Sequence, residues 1–202
     1  MPFHVRSRCL RVLPVLCLLV ATTLGGTTVA LADPPAVLRG TSWVAGRPQG
    51  SAVVWLEAPA TPDLPAEAAA LGQRTLPFLP QVLAVRVGTT VRVPSSDRVF
   101  HHVFSFRDGR PFDPGVSPVG SLKEVLFDRP GVSRPFWNGH PQMAGYVVAV
   151  DTPYFATSDA RGAFRIEAPA GRYTWRAWRV GGPEIQGTVV VGGEAGLRVT
   201  WP

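Results

Sequence analysis

The sequence predicts an all-β protein, and two observations point to that class. Short apolar or alternating runs recur along the chain between Gly, Pro and Asp residues, a spacing typical of β-sandwiches and barrels. The 21 prolines and 21 glycines suit an architecture that contains many turns. The predicted strands are 52–56, 82–87, 90–93, 99–106, 124–127, 146–150, 163–166, 173–178, 188–191 and 197–201.

The first 32 residues have the pattern of a cleavable export signal. Arg6, Arg8 and Arg11 form a basic start, an apolar run follows at 12–24, and a small-x-small site predicts cleavage after Ala32. The apolar run is too short for a stable membrane span, and no later stretch is longer. We therefore expect a periplasmic or secreted protein with no membrane span in its mature form.

The composition of the remaining 170 of the 202 residues narrows the function. Cys9 and Cys17 both lie in the predicted signal, so the mature chain has neither a disulfide nor a thiolate. Its length suits one domain or two small ones. Without the three signal arginines the formal net charge falls from +6 to +3, and no basic run is interleaved with aromatic residues. Nucleic-acid binding is therefore not expected.

One segment departs from this strand-and-turn composition. Residues 61–73 are rich in Pro and Ala and are predicted to be a linker, with a helical turn at 67–71.

The metal-binding side chains are few and close together in the sequence. The mature chain contains only three histidines and one methionine: His101, His102, His140 and Met143. Imidazole and thioether groups suit copper and other borderline or soft metals. The spacing predicts a strand that supplies one ligand and a distant loop that supplies the others. Because side chains alternate along a strand, His101 and His102 are expected on opposite faces, and apolarity alone places His102 inward beside Phe residues.

The stretch 74–151 resembles the cupredoxin-like proteins often labelled methylamine-utilisation proteins. The motifs that carry the resemblance are Phe78-Leu79-Pro80, Val87-Gly88-Thr89-Thr90-Val91, His101-His102-Val103-Phe104-Ser105-Phe106, Phe127-Asp128-Arg129-Pro130-Gly131, Asn138-Gly139-His140-Pro141-Gln142-Met143 and Asp151-Thr152-Pro153-Tyr154-Phe155-Ala156. The resemblance implies a cupredoxin-like Greek-key β-sandwich at 74–152. It also implies a copper site formed by His101, His140 and Met143, with His102 as an additional candidate and Trp137 at the family's Cys ligand position.

The flanks, 33–60 and 153–202, resemble a different β-sandwich, of the carboxypeptidase-regulatory or transthyretin-like type. The motifs are Ala52-Val53-Val54-Trp55-Leu56, Thr157-Ser158-Asp159-Ala160-Arg161-Gly162-Ala163-Phe164 and Ala168-Pro169-Ala170-Gly171-Arg172-Tyr173. The resemblance implies a cupredoxin-like sandwich inserted into a second, small β-sandwich. Whether the two units share strands is left open.

Two functions follow from these expectations. A site without thiolate lacks the ligand of blue-copper electron carriers, so we expect an exported copper carrier or buffer, with a copper ion and a periplasmic protein as partners. The alternative is a metal-free scaffold in which Trp137 fills the former metal position and the protein serves as an interaction module.

Other chemistry has little support in the sequence. It contains no phosphate-binding loop, no G-x-S-x-G and no H-E-x-x-H, so we predict no enzyme activity. Trp43 with Trp178 is a minor candidate for sugar stacking. Glu167 and Glu184 are interpreted as isolated surface residues, and Trp175 as a core residue.

Overall fold

The computed structural model describes residues 35–58, 68–73, 78–94, 101–104, 116–117, 120–137, 140–192 and 196–202. Within these ranges every regular element is a β-strand, so the predicted all-β class is confirmed. The predicted signal lies outside the described residues. The strands are β1 (Ala36–Val44), β2 (Arg47–Pro48), β3 (Val53–Leu56), β4 (Ala69–Ala70), β5 (Gly72–Gln73), β6 (Phe78–Leu79), β7 (Val82–Arg86), β8 (Thr89–Pro94), β9 (His101–Phe104), β10 (Val116–Ser117), β11 (Leu122–Phe127), β12 (Gly131–Ser133), β13 (Phe136–Trp137), β14 (His140–Ala144), β15 (Tyr146–Val150), β16 (Phe155–Thr157), β17 (Ala163–Ala168), β18 (Gly171–Trp178), β19 (Ile185–Val191) and β20 (Leu197–Trp201).

The flanks of the chain form one β-sandwich, which we call the flanking sandwich. Its first sheet, sheet I, contains β1 with β17, β2 and β20, and its second, sheet II, has the order β16-β3-β18-β19. Strand β17 alternates strictly between exposed and buried residues, as expected for a strand with one face on a core. The core between the sheets includes Leu38, Leu56, Ile166, Val199 and Trp201, which are almost completely buried.

The middle of the chain forms a second sandwich, the central sandwich. Sheet III has the order β12-β15-β7 and sheet IV the order β11-β8-β4. The core between them includes Leu71, Val85, Val91, Phe127 and Val147. Among the described strands, sheets I and II contain only strands from the two flanks of the chain, and sheets III and IV contain only strands from its middle. The two sandwiches therefore share no strand in these four sheets.

The two sandwiches pack against each other through sheets II and III. Val53 and Trp55 of β3 meet Val82, Val148 and Val150 of β7 and β15 in a third apolar cluster. Sheet III therefore has the core of the central sandwich on one face and this junction on the other. Sheets I, II, III and IV form a stack in which the two inner sheets are covered on both faces.

A tight turn joins β16 to β17 in the flanking sandwich. The Asp159 carboxylate accepts hydrogen bonds from the backbone N–H groups of Arg161 and Ala163, at 2.8 and 2.9 Å. Gly162 adopts a φ of +77°, and a Cβ added there would lie 2.5 Å from the carbonyl oxygen of Ser42. The sequence at this turn thus supplies both an Asp that holds the backbone and a glycine that tolerates the left-handed conformation.

The structure differs from the sequence-based expectation at 61–73. The last residues of the predicted linker form β4 and β5, and Leu71 between them is 1% exposed in the core of the central sandwich. The helical turn predicted at 67–71 is wrong at 69–70, because Ala69 and Ala70 pair with Val91 and Arg92 of β8. Tertiary pairing overrides the helical preference of an Ala-rich segment. Residues 61–67 lie outside the described part.

Candidate metal centre

The backbone brings all five sequence-predicted site residues into one sheet. This sheet, sheet V, has the order β10-β9-β13-β14. His101 and His102 lie on β9, Trp137 on β13, and His140 and Met143 on β14. Residues 36 positions apart in the chain, His101 and Trp137, are therefore on neighbouring strands.

The register assigns the candidates to faces of sheet V. Directly opposed residues on neighbouring strands belong to the same face, and consecutive residues of a strand belong to opposite faces. Trp137 is opposite Val103 on β9 and opposite His140 on β14. His101, two residues before Val103, shares the face of Trp137 and His140, while His102 belongs to the other face.

Strand β14 is irregular between His140 and Ala144. Phe136 is opposite Ala144, whereas the next residue, Trp137, is opposite His140, so the register shifts between the two pairs. Counted from Ala144, which shares the face of Phe136, Met143 falls on the face of Trp137; counted from His140, three residues earlier, it falls on the other face. The pairing therefore assigns His140 to the face of Trp137 directly and places Met143 within the irregular part of the same strand.

Strands β13 and β14 are antiparallel neighbours that follow each other closely in the chain. Trp137 is opposite His140, and residues 138–139 between them lie outside the described part of the structure. The sequence predicted that a loop supplies His140 and Met143. That prediction is wrong, because both residues lie on strand β14, of which His140 is the first residue.

The side chains of these five residues lie outside the described part of the structure. Strand pairing alone therefore defines how the five residues are arranged. Within the described residues, no three His, Asp or Glu side chains group closely enough to hold a metal ion. In that part of the chain, no helix is long and apolar enough to cross a bilayer. The donor set of two imidazoles and one thioether fits copper chemistry, and it contains no thiolate.

The structure also shows a charged cluster that the sequence analysis missed. Arg176 of β18 donates hydrogen bonds to Glu57 at 2.5 Å and to Glu184 at 2.7 Å. Glu184, predicted to be isolated, is thus paired; Glu167 likewise pairs with Arg165. The hydrogen bonds to Glu184 and then to Glu57 raise the pKa of Arg176, so its guanidinium stays charged.

Sheet pairing accounts for this cluster. Arg176 is opposite Trp55 on β3 and opposite Gln186 on β19. Glu57 follows Trp55 by two residues and Glu184 precedes Gln186 by two, so both carboxylates are diagonal neighbours of Arg176 on one face. Residue spacing in the sequence does not identify this cluster, because only the order of β3, β18 and β19 in sheet II brings Glu57, Arg176 and Glu184 together.

The two tryptophans considered for sugar stacking have different surroundings. Trp43 lies under the guanidinium of Arg198, at 4.4 Å from its ring centroid. Trp178 contacts Tyr146 across the junction of the sandwiches, with ring centroids 5.3 Å apart. Trp175, interpreted from the sequence as a core residue, is half-buried and packs against the core of the flanking sandwich.

Comparison with solved structures finds cupredoxins. A purple cupredoxin from Nitrosopumilus maritimus is 24% identical over 41% of this chain and 98% of its own, with a TM-score of 0.36. Amicyanin from Paracoccus versutus is 24% identical over 50% of this chain and 100% of its own, with a TM-score of 0.36. A copper-containing nitrite reductase from Thermus scotoductus is 24% identical over 46% of this chain and 24% of its own, with a TM-score of 0.38.

The chain is thus similar to cupredoxins at low identity and over part of its length. No protein-family model matches it, and no curated protein does.

Proposed function

We propose that this chain is an exported copper-binding protein that carries or buffers copper, with His101, His140 and Met143 as ligands. The observation that supports the proposal is the register of sheet V, which assigns His101 and His140 to one face, with Met143 on the same strand as His140. Two imidazoles and a thioether form a donor set suited to Cu(I), and to Cu(II) when water completes the coordination. Export would follow from the predicted signal at 1–32.

The proposal does not include blue-copper electron transfer. That chemistry depends on a cysteine thiolate in a trigonal site, and Trp137 stands where the resemblance places the cysteine. The indole N–H is a donor only and cannot ligate a metal ion through a lone pair. An indole beside the ion would contribute a cation–π contact and keep water away.

Copper titration of residues 33–202, the larger compact unit of the chain, tests the proposal. We expect one equivalent of copper to bind with a dissociation constant below about 1 μM, a free energy of about −8 kcal/mol. Replacing His140→Ala should abolish the binding, because it removes one of the two imidazoles. Calorimetry with Cu(II), repeated with Cu(I) under reducing conditions, measures both oxidation states.

His102→Ala is the matched control for this titration. It removes a histidine from the same sheet but from the opposite face, so copper affinity should stay within about threefold of the parent. Loss of binding in His102→Ala with retention in His140→Ala would contradict the proposed ligand set. Absence of binding in the parent protein would reject the copper function.

A metal-free interaction module is the second candidate function. It is favoured by the position of Trp137, whose strand lies between those of His101 and His140 in sheet V. A large aromatic side chain at a former ligand position is suited to filling the space that a metal ion would occupy. In that case Trp137→Ala would destabilise the fold by about 3–5 kcal/mol and His140→Ala would have little effect on stability. Urea denaturation measures the free energy of unfolding of both variants. A large loss in Trp137→Ala together with little loss in His140→Ala would favour this function over copper binding.

A further inference from the structure

The outer face of sheet I carries a basic patch, which we call the arginine face and which consists of Arg39, Arg165 and Arg198. Strands β17 and β20 alternate strictly between exposed and buried residues, and their buried residues belong to the core of the flanking sandwich. Their exposed residues therefore point away from that core. Arg39 on β1 is exposed on the same side, because it follows the buried Leu38.

Strand pairing places the three arginines next to one another. Arg39 is directly opposite Arg165 of β17. Arg198 of β20 is opposite Thr41, so it lies one strand away from Arg39 and two residues along, on the same face. Like charges directly opposite each other in a sheet lower its stability, so folding alone does not explain the pair of Arg39 and Arg165.

The positive charge of the arginine face is only partly balanced. Arg165 forms an ion pair with Glu167 on its own strand. Arg198 lies over the ring of Trp43, 4.4 Å from its centroid, and its contact is therefore with an uncharged group. Within the described part of the chain, neither Arg39 nor Arg198 has a carboxylate partner. Two guanidinium charges are thus left without a counter-charge on this face.

The turn at the start of β17 does not remove this excess. It carries Asp159, whose carboxylate accepts hydrogen bonds from the backbone N–H groups of Arg161 and Ala163. Because the exposed Arg161 lies in the same turn, the turn adds one charge of each sign. An open face with an excess of positive charge favours an anionic occupant.

We propose that the arginine face binds an extended acidic segment of a partner protein. In an extended segment every second side chain points to the same side, so alternating Asp or Glu residues present a row of carboxylates to the sheet. A guanidinium binds a carboxylate through two parallel hydrogen bonds, which gives such a contact both strength and direction. Arginine and tryptophan are also enriched among the residues that provide most of the binding energy of protein interfaces.

Two other anionic occupants suit this face less well. An acidic sugar polymer would stack on a free aromatic ring, but Trp43 is half-buried and its ring lies under the guanidinium of Arg198. An anionic membrane surface is typically bound by larger basic clusters or by basic residues next to inserted apolar side chains. No described residue of sheet I is an exposed large apolar side chain.

Calorimetric titration with synthetic peptides tests this proposal on metal-free residues 33–202 in low-salt buffer. The probe is an acetylated and amidated nonapeptide of alternating glutamate and threonine with glutamate at both ends, and its matched partner has glutamine in place of every glutamate. We expect the acidic peptide to bind, the glutamine peptide to bind at least about tenfold more weakly, and the affinity of the acidic peptide to fall as salt is added.

Arg39→Gln and Arg172→Gln form a matched pair of variants. Both remove one exposed arginine that has no carboxylate partner among the described residues, so the net charge of the protein changes equally. Arg172 lies on β18 in sheet II next to Tyr173, which packs on the core, and it therefore faces away from sheet I. Arg39→Gln should weaken the acidic peptide at least about fivefold, and Arg172→Gln should leave its affinity within about twofold.

Arg39→Glu separates binding from folding. It replaces a like-charge pair by an opposite-charge pair with Arg165, so it should abolish binding of the acidic peptide without lowering the urea midpoint. A lower midpoint would show that Arg39 stabilises the fold, and it would overturn the proposal.

Three binding results would also overturn the proposal. They are absence of binding by the acidic peptide, equal binding of the two peptides, and equal weakening by Arg39→Gln and Arg172→Gln. Tighter binding of polygalacturonate or of phosphatidylglycerol vesicles than of the acidic peptide would do the same, since the occupant would then be a sugar polymer or a membrane.

Discussion

Trp137 is the residue on which the two proposed functions differ. It lies opposite His140 in sheet V, at the position that the family resemblance assigns to a cysteine ligand. As a tryptophan it excludes a thiolate site, and it is consistent either with a copper site of two imidazoles and a thioether or with a filled, metal-free scaffold. A single substitution at this position therefore reports on the geometry of the whole candidate site.

Trp137→Cys should produce an intense visible absorption band when Cu(II) is added. The added thiolate would complete the set of two imidazoles, a thiolate and a thioether typical of blue-copper sites, provided that His101, His140 and Met143 are suitably arranged. Absorption spectroscopy during a Cu(II) titration is the measurement. Trp137→Ser, which removes the indole without adding a thiolate, is the control and should remain colourless. A colourless Cys variant would contradict the proposed arrangement of ligands.

At the scale of elements, two hydrophobic patterns distinguish outer from inner strands. β17 in sheet I and β11 in sheet IV alternate for most of their length, and each has one covered face. β3 and the last four residues of β15 are continuously apolar and continuously buried. Continuous apolar runs are expected where a strand is covered on both sides, as these two are.

Truncation of neighbouring residues in β15 tests this explanation. Val147 belongs to the core of the central sandwich and Val148 to the junction, and both are at most 2% exposed. We expect Val147→Ala and Val148→Ala each to lower the free energy of unfolding by about 1–3 kcal/mol, since each opens a cavity. Urea denaturation measures the loss.

Leu122→Ala is the control for the β15 variants. Leu122 is 52% exposed, so its truncation should change the free energy of unfolding by less than about 0.5 kcal/mol. If Val148→Ala were as mild as Leu122→Ala, the junction would not be a packed interface.

At the scale of the whole molecule, the junction couples the two sandwiches. Five apolar side chains are buried where sheets II and III meet, none of them more than 8% exposed: Val53, Trp55, Val82, Val148 and Val150. Separating the sandwiches would expose these apolar side chains to water, at a cost of about 25 cal/mol per Å² of apolar surface. A cleft of about 350 Å³ opens at the edge of this junction, lined by Trp55 and Arg176 of sheet II and by Val148 and Val150 of sheet III.

We therefore expect residues 33–202 to unfold in one cooperative transition. Each sandwich would lose the cover of its junction face if the other unfolded first, so the intermediate with one folded sandwich is unfavourable. Differential scanning calorimetry should give one peak with equal calorimetric and van't Hoff enthalpies. Two separate peaks would show that the sandwiches are independent domains.

Much of the strand content was predictable from the sequence. The prediction at 146–150 matches β15 and that at 197–201 matches β20, because apolar runs and alternation report directly on burial. The predicted ranges do not include β1, β2, β4, β5, β6, β10, β12, β13, β14 or β16. Of these, β4, β5, β13 and β14 are short or lie in segments of Pro, Ala, Asn and Gly. Strands β4 and β13 pair with β8 and β9, which are far from them in the chain, so local apolarity does not indicate them.

The candidate site was predictable as a set of residues but not as an arrangement. The scarcity of His and Met in the predicted mature chain singled out His101, His102, His140 and Met143, and the cupredoxin resemblance selected His101, His140 and Met143 among them. The common face of His101 and His140 depends on the pairing of Trp137 with Val103 and with His140, which no spacing in the sequence indicates. The cluster of Glu57, Arg176 and Glu184 had no sequence signal, because it requires β18 to lie between β3 and β19.

The sequence by itself determined the all-β class, the available ligand types and the absence of a thiolate outside the predicted signal, since composition and periodicity are local properties. Only the tertiary structure decided which strands are neighbours, that His101 and His140 share a face, and where the two sandwiches pack together. The physical reason is that strand order and register are set by contacts between residues far apart in the chain. Such contacts depend on the burial of the whole core and not on any one segment.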